Sequence, residues 1–279
     1  MCARELSFAS FASFSSLTIA ALTVAAAVAC SSSSDGGGAQ VQPGTEAGGG
    51  DAQAEASPDG GFAGPTQTGR IIDAVGKDGV TGATITAGGK SVPANADGTY
   101  AIGITKEVPS SMSVTAPDHF KLNEQEWIVK TDLFARGDTS LLSTSTANLL
   151  ATFLPPRDAA KGLLAVRIYA IPPCESEAGA TLAIEPAGTA QVTYFASGLP
   201  SKTATVTSKD ESFSGVFTNV DAGIPIKVIV SSPSCEQLAF PIDYGGVTLT
   251  GVQKAEPGDV VSYIRVFVGP KKVADSGAD

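Results

Sequence analysis

From Gly69 onward short apolar runs alternate with clusters of Gly, Pro, Asp and Ser, the spacing of β-strands joined by tight turns. Gly69 to Asp73 reads as a first strand, residues 76–79 as a turn and Val80 to Ala87 as a second strand. In Asn95-Ala96-Asp97-Gly98-Thr99-Tyr100 the Asp-Gly pair marks a tight turn, where glycine supplies a positive φ at no steric cost. Tyr100, Ile102 and Ile104 then share one face, because successive side chains of a strand point to opposite sides. Met112 to Ala116 and Glu126 to Thr131 complete a first sandwich over residues 69–132.

A second, larger sandwich is expected over residues 162–270. Its strands are Leu163 to Ala170, a hairpin of Gln191–Phe195 with Thr203–Thr207, then Ile226–Val230, Gln237–Ile242, Val247–Thr250 and Val260–Val268. Residues 133–161 form a connector in which Leu141, Leu142, Ala147, Leu149, Leu150 and Phe153 suit one or two helical turns. Pro155-Pro156 ends that helix, since the residue before a proline is pushed out of the α region. Its apolar side needs cover, so it should lie against a sandwich or in the cleft between the two. The fold class is therefore all-β, two Ig-like sandwich modules joined by a short helical connector.

The two segments share an order of signals. Gly82-Ala83-Thr84-Ile85 recurs as Gly179-Ala180-Thr181-Leu182, and Asp97-Gly98-Thr99-Tyr100 recurs as Ser214-Gly215-Val216-Phe217. Strand, turn, Gly-Ala-Thr-hydrophobic strand and Asp-Gly-x-Tyr resemble the carboxypeptidase-regulatory-like family, a transthyretin-like seven-stranded sandwich. The first module carries the resemblance over residues 69–117, the second only through its Gly-Ala-Thr and Gly-x-Phe elements. The family's Ala-Pro-Gly-Tyr-like corner is here Ala116-Pro117-Asp118-His119-Phe120. The resemblance implies a domain that accompanies carboxypeptidase catalysis without performing it.

Residues 1–29 carry only Arg4 and Glu5 as charged side chains, followed by an apolar core from Leu17 to Ala29. That core suits a signal peptide and is short for a membrane span. The small residues Ala27-Val28-Ala29 before Cys30 resemble the lipobox of bacterial lipoproteins, which implies cleavage before Cys30 and acylation of its thiol. Ordinary signal cleavage at Ala27-Val28-Ala29 is the alternative. Residues 31–68 have no Lys or Arg, five acids and almost nothing bulky, so they cannot bury enough apolar surface to fold. As a tether their 38 residues have a relaxed reach on the order of 35 Å. Ser31 stands where an Asp would resemble the inner-membrane retention signal, so the outer membrane is the expected location. Residues 271–279 are expected to be a disordered tail.

The formal charge of −10 includes no basic footprint, which argues against nucleic acid as a partner. Cys174 and Cys235 remain as an isolated pair in an exported chain and are expected to form a disulfide. They lack the spacing and the nearby histidine of a zinc site. His119 is the sole histidine, no His-Glu-x-x-His or Gly-x-Ser-x-Gly occurs, and no catalytic, cofactor or metal residues are assigned. Arg136-Gly137-Asp138 is read as a turn. Asp73, Asp78 and Asp97, or Asp243 and Asp259, match no calcium loop and are read as solvated turn carboxylates. Tyr169, Tyr194, Phe195 and Tyr263 could stack sugars but more often such residues alternate into a core. The expectation is a non-catalytic, lipid-anchored cell-envelope module, a structural spacer or a protein-interaction module, with an envelope protein or polysaccharide as its partner. A carbohydrate-binding module is the alternative, and a two-carboxylate glycosidase stands behind it.

Overall fold

The computed structural model describes residues 64–271; the leader, Cys30, most of the tether and residues 272–279 lie outside the described residues. The first half runs β1 (Thr66–Asp73), β2 (Thr84–Ala87), β3 (Lys90–Pro93), β4 (Thr99–Gly103), β5 (Met112–Thr115), β6 (Lys121–Glu124), β7 (Trp127–Val129) and β8 (Leu133–Leu141), then helix α1 (Thr144–Ala151). The second half runs β9 (Gly162–Ala170), β10 (Thr181–Glu185), β11 (Gln191–Ala196), β12 (Leu199–Ser201), β13 (Gly215–Val220), β14 (Lys227–Ser231), β15 (Cys235–Gln237), β16 (Ile242–Tyr244), β17 (Val247–Leu249) and β18 (Val260–Pro270). The all-β sandwich class is as expected, and α1 falls inside the connector.

One large sheet unites the halves, in the order β12-β11-β13-β9-β18-β6-β5-β2-β3, with β15 pairing the far end of β18. Strand β18 is its axis, running parallel to β9 over Val261–Val268 and parallel to β6 over Val260–Tyr263. Two smaller sheets, β4-β1-β8 and β16-β17-β7, pack over the first half, the latter with β16 and β17 supplied by the second half of the chain. Their side chains join Ile85, Met112, Val114 and Phe267 of the large sheet in a core that includes Ile71, Ile102, Trp127, Leu141 and Leu249. Over the second half the pair β10-β14 covers the opposite face. There Leu182, Ile184, Val228 and Val230 meet Leu164, Val166, Ile168, Ile264 and Val266. Because the pleat alternates, β18 sends Phe267 into the first core and Ile264, Val266 and Val268 into the second.

The Cys174–Cys235 disulfide joins the turn after β9 to the start of β15, with Cα atoms 5.9 Å apart, inside the usual span for a bridge. Closing a loop of 61 residues contributes roughly 4 kcal/mol in the chain-entropy model.

Four details depart from the sequence reading. The chain reverses after β11 at Ser197-Gly198, both at positive φ (54° and 79°), which is the geometry of a two-residue hairpin turn. Leu199–Ser201 is therefore the returning strand, and residues 203–207 are not one. Leu133–Leu141, expected to be connector, is a strand parallel to β1. The Arg-Gly-Asp within it is a bulge rather than an exposed turn: Gly137 sits at φ 73°, the register shifts between Thr68 and Arg70, and Arg136 turns inward. Val247–Leu249 pairs with β7 of the first half, so the second segment lends strands to the first and the two do not meet only through a connector. The Asp97-Gly98 turn forms as expected, with Gly98 at φ 84° and a Gly98 N–H to Asn95 carbonyl bond of 2.9 Å.

Candidate functional site

The two faces of the large sheet are treated differently in its two halves. In the first half the face away from the core carries Thr84, Thr86, Ser113, Lys121 and Asn123, the polar set that solvent demands. In the second half the face away from β10-β14 carries Leu163 and Ala165 of β9, Val216 of β13, Phe195 of β11 and Val261 of β18. A sheet apolar on both sides needs a second cover, and only part of one is present. Helix α1 and the following Leu154-Pro155-Pro156-Arg157 arch over these side chains and enclose a cavity of about 410 Å³. Phe213 and Pro200 close its far edge, and Ser140, Thr144, Asn148 and Thr218 supply its few polar groups. A concavity of this size, mostly apolar with few polar groups, has the make-up of a ligand pocket.

The helix is fastened at both flanks, the following segment through the Asn219 amide N–H to the Pro156 carbonyl (3.0 Å). Ser143 caps its N-terminus, its hydroxyl accepting from the Thr146 N–H at 3.4 Å, and bridges backbone with His119. Ala147 is its buried residue and packs on Phe120 and Leu163, while Leu149 is 62% exposed. At the mouth Arg157 bonds the Gly258 carbonyl (3.0 Å) and the Asp259 carboxylate (2.6 Å) and lies over the Phe120 ring.

Other sequence candidates settle elsewhere. His119 sits at the corner, where Asp118 takes φ 54°. Its Nδ1 is 2.7 Å from the Pro117 carbonyl oxygen and its Nε2 is 3.5 Å from the Asp73 carboxylate. Its one hydrogen bond, at Nδ1, stays within the corner, and Nε2 only approaches the Asp73 carboxylate. Asp73 accepts from the backbone N–H groups of Gly76 and Val75, which, with the nearby His119, hold its carboxyl below the usual range. Asp97 is lowered by the Thr99 hydroxyl and N–H, and Asp243 by the Thr248 hydroxyl and Lys130. Among the described residues no group of three or more His, Cys, Asp or Glu side chains could hold a metal ion.

The aromatics do not form one platform. Tyr194 is buried in the second core, its hydroxyl accepting from the Leu182 N–H at 2.9 Å. Phe195 and Tyr263 line the cavity, and Tyr169 stacks on Phe267 with ring centres 5.4 Å apart.

Sequence reasoning missed a buried charge cluster. Glu124, 3% exposed, pairs with both Arg136 and Arg265. Burial, with the neighbouring Arg265 charge, brings the Arg136 guanidinium down to about 9, still charged at neutral pH. Arg136 also lies 5.9 Å from the Trp127 ring centre, and Arg265 lies 4.9 Å from that of Tyr263. The cavity was missed too, although the run Gly162-Leu-Leu-Ala-Val-Arg-Ile-Tyr-Ala170 signalled it by being apolar on both faces.

No family model and no curated protein matches the chain. Among solved structures it is similar to the Bacillus anthracis TIE protein (9% identity, 74% of this chain, TM-score 0.24) and spans 34% of that protein's length. It is also similar to the minor pilin GBS52 of Streptococcus agalactiae (9% identity, 77% of this chain and all of that one, TM-score 0.23). A third is the CBM26 carbohydrate-binding module of Eubacterium rectale Amy13K in complex with maltoheptaose (12% identity, 77% and 100% coverage, TM-score 0.25). At these scores the architecture rests on the strand pairing itself.

Proposed function

We propose that this protein is a lipid-anchored, non-catalytic binding module of the bacterial outer membrane, tethered through Cys30 and presenting the groove beneath α1 to its ligand. The observation that carries the binding role is the second-half sheet face, apolar where its first-half counterpart is polar and only partly roofed. The anchor rests on the sequence: small residues, Cys30 and an acidic tether without a single Lys or Arg. Among the described residues no helix is long and apolar enough to cross a membrane. The likeness to carboxypeptidase-regulatory-like modules fits an accessory role. Cys30→Ala is expected to move the protein from the membrane to the soluble fraction. Retention in the membrane with the leader removed would refute the anchor.

A further inference from the structure

The floor of the groove runs into a pair of like charges. Along it the parallel register of β18 with β9 sets Val261 beside Leu163, Tyr263 beside Ala165 and then Arg265 beside Arg167. Register partners on neighbouring strands share a face, about 4.8 Å apart, and like charges so placed oppose the pairing. Each guanidinium lies over a tyrosine ring of its own strand, Arg265 4.9 Å from the centre of Tyr263 and Arg167 5.2 Å from that of Tyr169. Burial pushes the Tyr263 hydroxyl up while the charges of Arg265 and Arg167 both pull it down, so the two arginines converge on one ring. The Arg265 side chain is 19% exposed and Arg167 is half-buried, so solvent reaches both.

Neither charge nor hydrogen bonding is balanced there. Arg136 brings a third guanidinium close to Arg265, and among the described residues Glu124 is the only carboxylate that pairs with any of the three. It pairs with Arg136 and stands 3.5 Å from Arg265, which leaves Arg167 bonded to the Ser212 carbonyl alone (2.8 Å). The carboxylate of Glu211, next to Ser212, accepts from the Gly198 N–H (2.8 Å). Donors outnumber acceptors: the Nε groups of Arg136 and Arg167 and the Nε2 of the wholly buried Gln125 have no acceptor. Gln125 is fixed beside the pair, because its Oε1 accepts from the Arg265 backbone N–H. A buried N–H without an acceptor forfeits its hydrogen bond, and an oxyanion supplies the acceptor and the missing charge at once. The arginine fork receives carboxylate or phosphate through two parallel bonds. We propose that Arg167 and Arg265 form a recognition site for an oxyanion, the carboxylate or phosphate group of a ligand, one step beyond the groove floor. This deepens the binding-module reading, on which it rests, by making the ligand an anion.

The test uses the full chain carrying Cys30→Ala, with sodium phosphate and sodium acetate as probes and sodium chloride holding the ionic strength constant. One probe or both should raise Tm saturably, by about 3–6 °C at about tenfold excess over Kd. The same probe should shift the Nε–H resonances of Arg167 and Arg265 and leave that of Arg70, which donates to the Asp97 carbonyl, in place. A response to phosphate alone assigns a tetrahedral group, and a response to acetate alone a carboxylate. Arg167→Met should abolish the response. Arg167→Lys keeps the charge without the fork and should bind about tenfold more weakly. The proposal is overturned if chloride does as well at equal ionic strength, if neither anion acts, or if the response survives Arg167→Met. Should Arg167→Met not fold, Arg167→Lys decides: binding as tight as in the parent overturns the site. A neutral ligand held in the groove without any anion response sinks this site and leaves the binding-module reading standing. An anion response in a protein whose location ignores Cys30 sinks only the anchor.

Discussion

Replacing Phe267 with alanine tests whether the two halves of the molecule share one fate. Phe267 is fully buried in the C-terminal part of β18, with the Tyr169 ring at 5.4 Å and the Tyr244 ring at 5.0 Å. Truncating a buried phenylalanine costs about 3–5 kcal/mol through lost transfer energy and the residual cavity. Each lost ring contact adds about 0.5–1.5 kcal/mol, less for Tyr244, which is 42% exposed. A loss of about 4–7 kcal/mol is therefore expected, and at roughly 2–4 °C per kcal/mol for a body of this size, Tm falls by about 8–28 °C. Phe267 touches only the first core, but β18 is hydrogen-bonded into both halves and its Ile264 and Val266 fill the second. The loss should therefore appear in both. Fluorescence of Trp127, the only tryptophan, reports the first core, and the onset of Cys174–Cys235 reduction reports the second. Both should shift together by the same amount. A split into two transitions, with disulfide protection left at its wild-type temperature, would refute the shared-strand reasoning.

Glu124→Leu removes the carboxylate that pairs with Arg136 and Arg265 and leaves a buried guanidinium uncompensated, which should cost about 3–5 kcal/mol in urea unfolding. The double variant Glu124→Leu/Arg136→Met should recover most of that loss. Acid should destabilise the fold, because the carboxyls of Asp73, Asp97 and Asp243 all lie below their ordinary values when folded. A group lowered in this way contributes stability above its unfolded value of about 3.9 and loses it as pH falls through the lower folded value. Tm measured from pH 2 to 7 should therefore be level above about pH 5 and fall below about pH 4, and a curve flat down to pH 2 would count against these carboxylate bonds.

Local signals in the chain determined much of the architecture. The Asp97-Gly98 turn, the alternation in Tyr100-Ala-Ile102, the helix ending before Pro155 and the isolated Cys174 and Cys235 each depend on neighbours in sequence or on compartment, and each is found where expected. The leader, Cys30 and the tether are readings of composition; residues 1–63 lie outside the described residues, and the last residues assigned to the tether, Thr66 to Thr68, are instead the start of β1, where pairing with β4 and β8 decides the matter. Tertiary structure alone decided the rest. Leu133–Leu141 becomes a strand only because β1 lies alongside it, and Gly137 opens a bulge that carries Arg136 in to Glu124, twelve residues back in the chain. Val247–Leu249 has an apolar pattern that fits either half, and its pairing with Trp127–Val129 is a long-range choice made by packing. The groove belongs to the same category. Leu163, Ala165, Val216 and Val261 announce that a second face must be covered, but pleat alternation cannot say by what. The answer depends on a helix fastened at its Ser143 end and through the Pro156-Arg157 segment that follows it, which stands off the sheet far enough to leave a cavity.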